Sequence, residues 1–295
     1  MCMVLKLEYK DICPFPTLRF HIEKSVFYLN ACPPHLHEFA EIVFVQQGKG
    51  VHFFEGLEYP IEAGDIFVVR ENELHGYHNI DGLVLCNIIF DPKIYLPSGT
   101  ELRKLPGFHA LFHIEPLLRQ EHSFACRFHL NKEQMLRVYD IIAQLQDEYL
   151  RRDIGFESML QSYFTILVTY LTREFPVHES APFSEVTALS RVMAHIESHF
   201  SEAIALDDLV RLSNLSKSSL IRLFRRCLGT TPINYLNDLR LRKARDLLLD
   251  SRLSVTEVAF SVGFADSNYF SRQFRLKYFL SPRQYRYRHT TPKRK

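Results

Sequence analysis

The feature that most constrains this chain is a duplication near its C-terminal end. Residues 224–236 (FRRCLGTTPINYL) align with residues 274–286 (FRLKYFLSPRQYR) at an offset of 50. Upstream, LDDLVRLSNLSKSSLIRLF aligns with VTEVAFSVGFADSNYFSRQF, with one extra residue in the second turn. A unit used twice must bury its apolar face in the same way twice. Each copy reads as a short helix, a tight turn and a second helix opened by a capping residue. In the first, residues 206–212 form the leading helix and Asn214 takes the left-handed turn position. Ser216 then caps a helix running to about Leu228, which Gly229 ends. In the second, residues 254–262 lead, Gly263 turns, and Asp266 or Ser267 caps a helix to about Tyr278.

The two second helices share one layout. Their inner faces carry Leu220, Leu223 and Phe224 in one copy, and Phe270 and Phe274 in the other. The outer faces are small, polar and basic. One holds Lys217, Ser218, Ser219, Arg222, Arg225 and Arg226; the other holds Ser267, Asn268, Ser271, Arg272 and Arg275. Such residues on the first turns of a helix suit the DNA major groove, where N-terminal side chains reach base edges. The connector, residues 232–249, reads as one helix with Pro232 in its first turn. Eighteen residues at ~1.5 Å each give a rigid spacer of ~27 Å. With the helix widths added, it can set two recognition helices about one DNA turn (~34 Å) apart.

Charge agrees with this reading. Residues 184–295 hold 20 Lys and Arg, 15 of them Arg, against 10 Asp and Glu, while residues 1–183 hold 16 basic and 24 acidic residues. A half at +10 beside a half at −8 separates a polyanion-binding end from an end with another task. A preponderance of Arg favours bidentate grips on phosphate and guanine. The densest apolar run, residues 164–171, is far shorter than the ~18 residues of a membrane span. Lys6, Glu8 and Lys10 interrupt any signal-peptide core. Six scattered cysteines without a CxxC pair read as reduced thiols, so a cytoplasmic protein without membrane partners is expected.

The acidic half changes character along its length. Eight of the 11 glycines lie between Gly48 and Gly107, among short β-branched and aromatic runs such as EIVFVQQGKG and LVLCNIIFDP. That pattern predicts an antiparallel sandwich or barrel. From Asn131 the period becomes helical, with Met135, Val138, Ile142, Leu145 and Tyr149 on a heptad-like seam. A second helix over 156–175 places Leu160, Phe164, Leu167 and Leu171 on one face. Either helix can pack on the sheet or offer a seam to a second copy, and the seam of the first is expected to contribute to a homodimer. PVHESAPFS, residues 176–184, breaks the helical pattern and reads as a linker.

Residues 190–286 strongly resemble the paired helix-turn-helix domain of AraC-type transcription regulators. The resemblance is carried by KARDLLLDSRLSVTEVAFSVGFADSNYFSRQFRLKYFLSPRQYR and the earlier LDDLVRLSNLS…FRRCLGTTPINYLNDLRL. The chain departs from the family at Phe279, where Gly is usual and where the first copy has Gly229. The N-terminal half resembles cupin barrels. His35, His37 and Glu41 precede Gly48, and Gly64-Asp65 precedes His75, with Asn79 beyond. The resemblance implies that His35, His37, Glu41 and His75 converge inside a barrel, as effector contacts or as ligands of one divalent transition metal. Arg70 and Asn72 stand where cupins commonly place Pro and Gly, which are turn residues and not ligands. LVLCNIIFDP and LPGFHALFHIEP are similar to the sensor halves of rhamnose-type sugar regulators.

The expected fold is therefore an α+β two-domain protein. Residues 1–130 form a cupin-like effector-sensing barrel, 131–175 a helical dimerisation segment, 176–184 a linker, and 185–295 an all-α domain with two helix-turn-helix units. The expected function is regulation of transcription through double-stranded DNA by a small polar effector, a sugar or sugar acid first. A homodimer is expected, with RNA polymerase as partner if the protein activates. No catalytic residues are assigned; the alternative is a cupin metalloenzyme, an isomerase or oxygenase, fused to a DNA-binding domain.

Overall fold

A computed structural model describes residues 5–27, 31–97, 100–119, 128–175, 184–250 and 252–290. The chain divides into two compact units, Met1–Ser190 and Arg191–Lys295. The expected linker falls almost wholly outside the described residues.

The first unit is built on one eight-stranded sheet. Its strands are β1 (Leu5–Leu7), β2 (Phe20–Phe27), β3 (Cys32–His37), β4 (Ala40–Phe54), β5 (Leu57–Glu62), β6 (Asp65–Val69), β7 (His75–Phe90) and β8 (Phe128–His129). The order is β1-β3-β7-β4-β6-β8, with β2 joined to β7 and β5 to β4. The long antiparallel pair β4/β7 is the spine, from Ala40 opposite Phe90 to Phe54 opposite His75. The ladders join all eight strands, and among the described residues none joins β1 to β8. Val43, Val45, Phe54, Tyr59, Phe67, Tyr77, Leu83 and Leu85 meet in one interior cluster drawn from β4, β5, β6 and β7.

The spine bends where β4 slips in register between Val45 and Val51. Gly48 sits there at φ 73°, and a Cβ on it would lie 2.2 Å from the Gly82 carbonyl oxygen. Only glycine allows that approach together with that backbone conformation. The net slip is one residue, which reverses the side-chain parity of β4. Val43 and Val45 point inward before it; His52 and Phe54 are the buried residues after it.

The short helices α1 (Tyr9–Ile12), α2 (Pro92–Tyr95), α3 (Pro106–His109) and α4 (Glu115–Arg119) flank the strands, with a π-helical turn over Ala110–Ile114. Two long helices follow, α5 (Lys132–Arg151) and α6 (Phe156–Glu174). Asn131 and Gln134 form a reciprocal cap at the start of α5. The outer face of the sheet receives both helices. Phe164 packs on Phe20 and Phe90, Tyr139 on Phe44, and the Tyr139 hydroxyl donates to the Gln46 carbonyl at 2.9 Å. Tyr149 is hydrogen-bonded to His21 at 2.8 Å.

This packing corrects the expectation that the α5 seam faces a second copy. Val138, Ile142, Leu145 and Tyr149 are buried within the single chain, and Met135 is half-buried. A stripe of spacing 3 and 4 specifies a buried face but not the partner that buries it. The solvent side of α5 carries a different apolar set. Leu136 and Leu150 are 66% and 73% exposed, with exposed Ala143 between them at heptad spacing.

The helical elements that follow are α7 (Ser184–His199), α8 (Leu206–Ser213), α9 (Lys217–Leu228), α10 (Pro232–Leu247), α11 (Val255–Ser261), α12 (Ser267–Tyr278) and α13 (Pro282–Thr290). The connector α10 ends two residues before the expected boundary, so its 16 residues span ~24 Å. Buried Arg240 ties it to the end of α7, donating to the carbonyls of Phe200 and Glu202 at 2.7 Å each. Around α10, Leu241, Ala244 and Leu248 pack with Val258, Val262, Phe264, Phe270 and Phe274.

Candidate functional site

The chain holds two groups of functional side chains, one inside the sheet and one on the surface of the helical unit. In the sheet unit, β3 ends at His37, β4 opens just before Glu41, and β7 opens at His75. His35 and His75 are direct cross-strand neighbours in the β3/β7 ladder. His37, Glu41 and His75 are all buried, and one ligand atom from each lies within 4.8 Å of the other two. Glu41 Oε2 stands 3.9 Å from His37 Nε2 and 3.8 Å from His75 Nε2. His37 Nδ1 is 2.7 Å from the Phe39 carbonyl oxygen, to which it donates, and its ring stacks on that of Phe39. His35 departs from the expected foursome. Its ring centre is 4.4 Å from that of His75, but it is only half-buried and its Nδ1 turns to the Pro33 carbonyl at 3.0 Å. Three of the four expected residues converge, and the fourth stands at the edge.

Burial sets the protonation of this cluster. It pushes the Glu41 carboxyl up to about 8 and holds His37 down at about 4, against the partial support of the Phe39 carbonyl. It also holds His52 and His75 well below the ordinary imidazole value. At neutral pH the imidazoles of His37, His52 and His75 are therefore uncharged.

Sequence reading missed two further members. His52 is fully buried, stacked on Phe67 and Tyr77 at ring separations of 4.6 and 5.1 Å and edge-on to His75 at 5.8 Å. Both its nitrogens, both nitrogens of His75, His37 Nε2 and the Tyr77 hydroxyl are buried without hydrogen-bond partners. Strict alternation from Glu41 would turn His52 outward; the register slip at Gly48 brings it in. Only the Gln-Gln-Gly-Lys-Gly run carried a signal of that slip, as glycines inside a strand mark bulges. Nearby, buried Arg119 pairs with Glu115 through Nε at 2.8 Å and lies over Phe54 and Phe67.

In the helical unit the expected caps are in place. Ser216 accepts from the Ser219 amide at 3.2 Å and Asp266 from the Tyr269 amide at 2.6 Å, so Asp266, not Ser267, caps α12. The turns use Asn214 at φ 55° and Gly263 at φ 90°. On α9, Lys217, Ser218, Arg222 and Arg225 are exposed and Ser219 is half-buried; Leu220, Leu223 and Phe224 are buried beneath. On α12, Asn268, Arg272 and Arg275 are exposed, with Ser267 and Ser271 half-buried above Phe270 and Phe274. Lys217 reaches Asp207 of α8 at 3.3 Å, and the Arg272 guanidinium lies 5.4 Å from the Tyr269 ring centre.

Comparison with known proteins matches both units. Residues 26–153 fit an AraC-like ligand binding domain and residues 209–288 a helix-turn-helix domain. The HTH-type transcriptional activator RhaS of Klebsiella pneumoniae is 32% identical over 259 residues, 87% of this chain and 88% of that protein. RhaS of Escherichia coli is 33% identical over 254 residues, 86% of this chain and 87% of its own length. This chain belongs to the AraC-type transcription regulators. An AraC-type regulator from Chromobacterium violaceum, of known crystal structure, is 30% identical over 36% of this chain and 94% of that one, with a TM-score of 0.33. As an AraC-type protein this chain is a DNA-binding transcription regulator with a ligand-binding half, and the metalloenzyme alternative falls away. No helix among its described residues is long and apolar enough to cross a membrane.

Proposed function

We propose that this protein is a cytoplasmic transcription activator whose action on DNA is governed by a small polar effector, a monosaccharide or sugar acid, bound inside the sheet unit. The observation that carries this reading is the set of unpartnered polar atoms on His37, His52, His75 and Tyr77, enclosed among aromatic rings. Leaving such atoms without partners costs about 1–3 kcal/mol each, and hydroxyl groups of a polyol both donate to and accept from them. Aromatic faces such as Phe67 and Tyr77 suit the C–H faces of a sugar ring. The similarity of the sensor half to rhamnose-type regulators supports putting sugars first among polyols.

On the DNA side, Lys217, Ser218, Ser219, Arg222 and Arg225 of α9 enter one major groove, and Ser267, Asn268, Ser271, Arg272 and Arg275 of α12 the next. Phosphate contacts make the affinity fall steeply with salt. The protein acts as a homodimer through the exposed α5 stripe of Leu136, Ala143 and Leu150, and it activates by contact with RNA polymerase. The test is a thermal-shift screen of the full chain against monosaccharides and sugar acids, followed by operator binding with and without any hit. A ligand specific for the native state raises the melting temperature. A screen in which no sugar or sugar acid shifts the transition overturns the effector class.

A further inference from the structure

We propose that His195, His199 and Glu202 form a binding site on the helical unit for one divalent copper, nickel or zinc ion. These residues belong neither to the sensor interior nor to the basic faces of α9 and α12, and the inference stands apart from the effector reading. Its first ground is spacing. His195 and His199 lie one turn apart at the end of α7, and side chains four residues apart on a helix share a face. Both are half-buried, and their rings lie side by side, with centres 4.3 Å apart and planes 28° apart. The helix holds the pair in place before an ion arrives, so little ordering is left for binding to supply.

The second ground is orientation. His199 Nδ1 donates to the His195 carbonyl oxygen at 3.0 Å, which leaves the lone pair on Nε2. Ligating histidines are held by this kind of outer hydrogen bond, which selects the tautomer and fixes the ring. The third ground is a spare carboxylate. Burial and the His199 ring lower the pKa of His195, against the pull of two carboxylates, Glu202 and Asp208. Asp208 is engaged: it accepts from the Ala205 amide at 2.9 Å and pairs with Arg211. Glu202 is exposed, and among the described residues its carboxylate has no ion pair. The Glu202 amide donates to the His199 carbonyl at 2.8 Å, in the turn that ends α7. Rotation about its side-chain bonds carries the carboxylate from there to the imidazoles.

The donor set narrows the ion. Two imidazoles and one carboxylate suit Cu, Ni or Zn and are poor for Ca or Mg, which take oxygen ligands. The place of the site gives it a consequence. Arg240 of α10 donates to the Phe200 and Glu202 carbonyls, on either side of the same turn. The turn before α12 is seated there too, since a Cβ on Gly263 would lie 2.7 Å from the Phe200 carbonyl oxygen. An ion held by His195, His199 and Glu202 therefore braces the joint at which α7, α10 and the second helix-turn-helix meet.

The experiment uses the full chain, purified without a metal-affinity tag and stripped with chelator, then titrated with Cu2+ and followed by electron paramagnetic resonance. The expected signal carries nitrogen hyperfine structure from coordinated imidazole. His195→Gln and His199→Gln should each bind one Cu2+ fewer per chain than the parent, whatever other sites the chain has. His289→Gln, at an exposed histidine on α13, should bind as many as the parent. Glu202→Gln should keep the imidazole signal and release the ion at a lower chelator concentration. Zn2+ should displace the Cu2+ and slow amide hydrogen exchange over residues 199–202 in the parent but not in His199→Gln. Equal Cu2+ counts in the parent and both histidine variants overturn the site, as does a parent chain that binds none. A Glu202→Gln variant that holds the ion as firmly as the parent overturns the three-ligand set. Amide exchange unchanged by a full equivalent of Zn2+ overturns the bracing of the joint.

Discussion

The two units put their polar chemistry in opposite places. In the sheet unit, histidines and a carboxyl group are buried among aromatic rings, and the outer face of the spine is covered by helices. In the helical unit, the interior of each helix-turn-helix is apolar and the arginines of α9 and α12 stand in solvent. The difference follows from the partners. A small effector must be enclosed so that few contacts suffice to hold it. A DNA duplex is too large to enclose and is met by exposed positive charge on a rigid helix. One half therefore stores unmet hydrogen bonds inside, and the other keeps positive charge outside.

The largest test of this contrast removes the outer charge. Arg222→Ala combined with Arg272→Ala should abolish operator discrimination. Each loses ~1–3 kcal/mol if it makes a bidentate base contact, and the two sites lie on separate helices, so the losses should add. Fluorescence anisotropy with operator and scrambled duplexes reads this directly. Equal discrimination by parent and double variant would mean that the basic faces do not read sequence. Melting temperature should hardly move, since both side chains are exposed.

Burial predicts a different outcome for α5. Leu145→Ala should cost about 2–5 kcal/mol of stability, as a core truncation does, because Leu145 is buried within the chain. Leu150→Glu should leave denaturant unfolding of the soluble protein unchanged and shift sedimentation from dimer to monomer. If Leu145→Ala keeps full stability and loses the dimer, the seam belongs to the interface after all.

Replacing His52 sharpens the inner half of the comparison. His52→Phe fills nearly the same volume and removes two buried nitrogens that lack partners. It should therefore retain or raise the melting temperature while ending the effector-induced thermal shift, with operator affinity within a few-fold of the parent. A normal effector response from this variant would place the ligand elsewhere.

The smallest effect separates the two repeats. Both second helices end on a left-handed residue, Gly229 at φ 65° and Phe279 at φ 59°. A side chain in that conformation costs roughly 1–2 kcal/mol, and Phe279 is 86% exposed, so little packing offsets it. Phe279→Gly should stabilise the helical unit by about 1 kcal/mol and Gly229→Ala destabilise it by a similar amount. Urea titration of both variants would show it; a destabilised Phe279→Gly would mean that the ring is held by contacts worth more than the backbone strain.

Legibility in the sequence tracked how local each signal is. The caps at Ser216 and Asp266, the turns at Asn214 and Gly263, and the basic faces of α9 and α12 are all specified within a few residues. A capping oxygen, a left-handed turn residue and a helical period need no distant partner. The sequence alone therefore determined the double helix-turn-helix, the division of charge and the strand-rich character of the first half. Tertiary structure decided the rest. Whether the α5 stripe met the sheet or a second copy depended on a surface made by Phe44 and by His21, about a hundred residues away in sequence. The place of His35 at the edge depended on its contact with the Pro33 carbonyl, where the β3/β7 register shifts, and the entry of His52 on a one-residue slip between β4 and β7. Register and face are properties of a pair of elements, so no single stretch of sequence carries them.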